Sequence, residues 1–140
     1  MSDTPYLRAA IVGASAGLRT FTAPAATLAA GGSRWARPAL VVAAGELVGD
    51  KLPMTPPRTT LPALGARIVS GAACGAAVSR RNGGAALLGA LLGGVAAYAS
   101  TFAGYTLRSV GAESVPDLPL ALAEDALAIA AARYANRAAG

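Results

Sequence analysis

The sequence predicts an all-α protein, a polytopic membrane bundle of about five helices forming a single domain over residues 1–140. Three observations predict it. Hydrophobic residues make up 54% of the chain and charged residues only 14%, about half the charged share of an ordinary soluble domain. The charges punctuate the ends of long apolar runs rather than forming a face. Glycines recur four apart within those runs, the spacing that lets membrane helices touch backbone to backbone.

The same composition excludes several classes of function. There is no histidine, which removes His-based catalysis and most zinc sites, and Cys74 is the only cysteine, so no disulfide or thiolate cluster forms. The net charge of +5 comes from eleven arginines and Lys51, dispersed along the chain rather than gathered with aromatics. That dispersal argues against a nucleic-acid partner and for a lipid bilayer. The N-terminal Met1–Arg8 lacks the basic start of a signal peptide, so the first apolar segment is expected to be retained.

The first candidate span runs from Tyr6 to Ala30, interrupted by Leu18–Pro24, where Pro24 removes a backbone donor and predicts a kink or unwound turn. Arg19 lies there, far from either end; an arginine mid-span costs roughly 2.5–3.5 kcal/mol even on the lenient insertion scale. A basic turn with Trp35 follows, then a second helix from Pro38, short for a span because Asp50 ends its apolar run. The third helix, Leu61 to Ser79, carries Arg67, with Gly71 and Gly75 as packing positions. The fourth, Gly84 to Leu107, carries Gly89 and Gly93 in the same role, and the fifth, Leu118 to Tyr134, holds Glu124 and Asp125 near its start. Counting arginines by side puts the N-terminus outside and the C-terminus in the cytoplasm, with five crossings.

Gly13, Ala16, Thr20 and Phe21 recur as Gly94, Ala97, Thr101 and Phe102, and Glu46 recurs as Glu124. This pattern allows an inverted repeat of helices one and two with helices four and five around a central helix. Glu46 and Asp50, four apart, stack on one helical face, while Gly45 and Gly49 form a small-residue face beside them. The expected site therefore gathers Glu46, Asp50 and Glu124 for a proton or cation, with Arg19, Thr20 and Thr101 opposite at the helix breaks. Lys51, Arg58, Arg67 and Asp125 support them. No catalytic residue or cofactor is expected, and the spacing does not identify a metal.

Gly17–Pro24, Gly45–Pro53 and Pro57–Thr59 resemble a family of small bacterial multi-spanning membrane proteins known only as a domain of unknown function. The resemblance covers nearly the whole chain and implies an inner-membrane protein, with no activity attached. Glu46-Leu-Val-Gly49-Asp50-Lys51 is also similar, with one residue inserted, to the Glu-x-Gly-Asp-Lys signature of cation/proton exchangers, which implies carboxylate ligands for a cation. The function expected is a small inner-membrane transporter or channel-like protein, active as a homo-oligomer because five short helices enclose little interior. Two alternatives stay open. One is a structural membrane subunit whose charges pair off within the fold. The other is a lipid-phosphate-active enzyme, with Lys51 and Arg58 holding the phosphate and Asp50 as base.

Overall fold

The computed structural model describes residues 4–49, 60–111 and 113–137, and all regular structure among them is helical. There are six helices: α1 Pro5–Leu18, α2 Thr22–Ala30, α3 Ala36–Gly49, α4 Leu61–Arg81, α5 Ala86–Gly111 and α6 Asp117–Ala135. The bundle is helical as expected, but the five-span count does not hold, because the first apolar segment is two helices that run in opposite directions.

Arg19 breaks that segment with an extended backbone at φ −142° and ψ 117°. Pro24 favours a break there, because it has no N–H to reach the Thr20 carbonyl as a continuous helix would require. Ser70 of α4 supplies that bond instead, its hydroxyl donating to Thr20 O at 2.8 Å. Two contacts with α6 fix the reversal. Arg19 meets Asp125, whereas Thr27, eight residues later, receives a bond from Asn136 Nδ2 at 3.2 Å, three turns further down the same helix. So α1 rises about 21 Å to the break and α2 returns about 13 Å beside it, a re-entrant hairpin.

The end where α1 begins also holds the α4–α5 turn and the end of α6. Arg8 donates to the Arg137 carbonyl at 2.6 Å and to Asn82 Oδ1 at 3.4 Å, Arg81 reaches Asn136 Oδ1 at 2.9 Å, and the Ala85 amide reaches the Tyr6 hydroxyl at 3.3 Å. The expectation that the termini lie at opposite ends is therefore not met. Both tight turns at this end pivot on a glycine with positive φ, Gly32 at 67° and Gly83 at 79°.

Three helices, α1, α4 and α5, meet along glycines. A Cβ at Gly13 would lie 2.5 Å from Gly93 Cα, one at Gly71 would lie 2.6 Å from Gly93 O, and one at Gly89 would lie 2.5 Å from Gly75 O. Backbones at that separation exchange dispersion contacts along their whole length, and larger side chains are left to the outside. The Gly45–Gly49 face is different: a Cβ at either meets nothing within 4 Å.

The distribution of residues is inverted relative to a water-soluble bundle. Every described leucine is at least partly exposed. Meanwhile the largest fully buried side chain is Arg19, followed by Val12, Val78, Thr101, Ser15 and Ser79. Water would drive the leucines in and the arginine out. Two helices, α4 and α5, are long and apolar enough to cross a membrane by length and composition. Helices α1 to α3 are shorter, and α6 carries Asp117, Glu124, Asp125 and Arg133.

The repeat is not expressed in the helices. Thr20 and Phe21 form the break, but Thr101 and Phe102 lie inside the unbroken α5, where Tyr105 stands in the register of Pro24.

Candidate functional site

The apex of the re-entrant hairpin is where the chain spends its buried polar groups. Breaking a helix exposes carbonyls at the end of α1 and amides at the start of α2, and both sets must be satisfied away from water. The carbonyl end carries the negative pole of α1. It is met by a cation, Arg67 of α4, whose guanidinium donates to Gly17 O and, at 3.2 Å, to Leu18 O. Thr101 of α5 adds a hydroxyl bond to the same Gly17 carbonyl at 3.1 Å. The amide end carries the positive pole of α2 and is met by an anion. Glu46 of α3 accepts the Thr20 N–H at 2.6 Å on one oxygen and the Phe21 N–H at 2.8 Å on the other.

Between these two ends, Arg19 extends sideways into α6. Its Nε donates to Asp125 Oδ1 at 2.5 Å and a second nitrogen faces the same oxygen; the arginine is wholly buried and the aspartate nearly so. Ser15, one turn below, fixes α1 to α6 by donating to the Ala128 carbonyl at 2.8 Å. Toward the far end, Arg108 of α5 pairs with Glu124 at 3.0 Å.

The residues expected to form one carboxylate site thus take separate partners. Glu46 binds backbone amides, Asp125 binds Arg19, and Glu124 binds Arg108. Thr20 and Thr101 do lie at the break with Arg19 and Arg67. Asp50, Lys51 and Arg58 lie outside the described residues, so the Glu46–Asp50 pair is not seen. Among the described residues no three His, Cys, Asp or Glu side chains group as they would around a metal ion. Gly71, Gly75, Gly89 and Gly93 all lie in the α4–α5 contact.

No protein-family model, curated protein or solved structure matches the chain. The geometry alone therefore carries the reading that follows.

The sequence does not announce four of these residues: Ser70, Arg108 as the mate of Glu124, and the α1 packing glycines Gly13 and Gly17. Ser70 lies one turn from Arg67 on the same face, which is a readable signal. Gly13 and Gly17 repeat the spacing of the glycines that were singled out.

Two cavities approach the apex from opposite ends. The larger, about 920 Å³, lies between α2, α3 and α6 and opens toward Arg133 and Arg137; Thr22, whose buried hydroxyl has no hydrogen-bond partner, lines it. The smaller, about 180 Å³, is lined by Leu18, Gly104, Arg108 and Glu124 among others. Leu18 borders one and Thr22 the other, with Arg19, Thr20 and Phe21 between.

Proposed function

We propose that this chain is an integral membrane protein that moves a solute past the hairpin apex in a proton-linked way, with Asp125 taking the proton. The observation that carries the reading is the buried Arg19–Asp125 pair at the apex of the re-entrant hairpin. Re-entrant backbone at membrane depth occurs where protein or a solute path surrounds it. A proton on Asp125 would neutralise it and release Arg19, opening the apex. The leucine-coated exterior supports a membrane location.

Purified protein in liposomes, given a pH gradient and a panel of small solutes, tests this. Proton-linked flux is expected from the natural chain, and Asp125→Asn should abolish its dependence on the gradient while leaving folded protein. Silence across the panel promotes the second reading, a structural subunit. That reading is favoured by a specific observation of its own: the backbone groups at the apex are met by side chains of α3, α4 and α5.

The proposed orientation puts both termini in the cytoplasm. Arg8, Arg34, Arg37, Arg80, Arg81, Arg133 and Arg137 gather at one end of the bundle, whereas Glu113 of the α5–α6 connection and Asp117, which begins α6, lie at the other. With Cys74 replaced by serine, single cysteines at Thr4, Ser33 and Arg80 should label from the cytoplasmic side and one at Ser114 from outside. Labelling of Thr4 and Ser114 from the same side would overturn the arrangement.

A further inference from the structure

We infer that the cavity between α2, α3 and α6 is a binding groove for one anionic phospholipid, with an acyl chain along its floor and the phosphate held by Arg133 and Arg137. The inference rests on the membrane location proposed above, and not on transport.

The groove exists because α3 packs on α2 and leaves α6 bare on that side. Its floor is α2, with Ala25 and Ala29, and its walls are Leu40 and Leu47 of α3 and Ile129 of α6, a surface of carbon that suits a hydrocarbon chain. Its length also fits. Nine residues of α2 cover about 13 Å, close to half of the roughly 30 Å hydrocarbon core, so the groove runs from one membrane surface to mid-depth, where the hairpin turns. At the surface end the lining changes from carbon to positive charge. Arg133, in the last turn of α6, and Arg137, two residues past its end, border the mouth, and among the described residues no acid lines the cavity. Arg137 lies 5.6 Å over the Tyr134 ring, which holds its guanidinium at interfacial depth. Arg34 and Arg37 flank the α2–α3 turn at the same end.

An uncharged lipid would satisfy the floor but leave the arginines without a counter-ion. A free phosphate would satisfy the arginines and leave the apolar groove empty. A phosphate on an acyl chain meets both, and an anionic headgroup does so without setting a cation of its own beside the two arginines. Thr22 is the polar exception at the inner end, and one hydroxyl does not change the character of the walls.

Trp35, the only tryptophan, is 59% exposed in the turn beside the mouth and serves as the reporter. The experiment places the full chain in vesicles that mix an anionic and a zwitterionic phospholipid, one of them brominated on its acyl chains, and reads quenching of Trp35 fluorescence. The brominated anionic lipid should quench with about fivefold or greater relative affinity over the brominated zwitterionic one, the effect of a single arginine near the surface. Arg133→Gln with Arg137→Gln should remove the preference. Both side chains are exposed, so folding is not at stake. Ala130→Phe, which fills the groove without altering charge, should remove it too. Equal quenching by the two lipids in the natural chain overturns the inference, as does a preference that survives Ala130→Phe, which would mean attraction at the surface alone. Conversion of a dimer to a monomer by Ala130→Phe, with no lipid preference in the natural chain, would assign the groove to a second copy and overturn it as well. Absence of quenching by either lipid would instead show that the membrane location is wrong.

Discussion

Replacing Arg19 with methionine is expected to lower the unfolding free energy of the protein in detergent by about 3–5 kcal/mol, the usual result of removing one member of a buried ion pair. The aspartate left behind is nearly inaccessible, and Arg19 itself is wholly so, which leaves water no route to replace the lost partner. Asp125→Leu alone should cost a similar amount, because it removes the buried carboxylate that accepts the Arg19 Nε–H. The double variant, Arg19→Met with Asp125→Leu, should recover most of the loss, since an apolar pair of similar volume needs no desolvation. The natural pair therefore adds little net stability while making its loss costly. That asymmetry favours a role beyond holding the bundle together. The comparison pair is Arg108–Glu124, where the arginine side chain keeps 23% exposure; Glu124→Gln there should cost no more than about 1 kcal/mol. Reversible unfolding in mixed micelles measures all four. A single variant at Arg19 or Asp125 within about 0.5 kcal/mol of the natural chain would show that the pair does not hold the apex.

The helices themselves were legible, because apolar runs bounded by arginines, prolines and glycines leave little choice of element. The hairpin was not. Leu18–Pro24 reads the same whether the chain kinks and continues or turns back, and the decision rests with Ser70, Arg67 and Glu46, each on another helix. The role of Glu46 was hidden for a related reason. Its spacing to Asp50 suggested a partner of its own kind, but what it satisfies is backbone amide, a partner that every residue carries and no motif displays. The repeat failed at a position that the sequence does show. Tyr105 stands where the first unit has Pro24, so α5 keeps the bond that the first segment must forgo. The reversal also moves Arg8 to the basic end, which leaves the arginines divided more unequally than a five-crossing count allows.

Gly93→Ala is expected to destabilise the bundle by about 1–3 kcal/mol, whereas Gly65→Ala should stabilise it by up to about 1 kcal/mol. The chemical change is identical, so the difference isolates the contact. Gly93 faces α1 and α4 at once. A Cβ on it would press on the Gly71 carbonyl and approach Gly75 Cα at 3.1 Å, while the Cα of Gly93 is itself what a Cβ at Gly13 would meet. The neighbours are α4 backbone, so they move only by shifting whole helices, and the shift would separate α4 from α5 below the apex. Gly65, on α4, meets nothing within 4 Å and is exposed. There the methyl only removes the conformational freedom that glycine brings to a helix. Arg67 of α4 and Thr101 of α5 both donate to the Gly17 carbonyl, so parting α4 from α5 should make the loss at Gly93 non-additive with Thr101→Ala. A cycle of Gly93→Ala, Thr101→Ala and the double variant, followed by unfolding in micelles, gives that coupling. Additivity within about 0.3 kcal/mol would separate the glycine contact from the apex. Equal effects at Gly93 and Gly65 would show that the three helices do not meet at backbone distance.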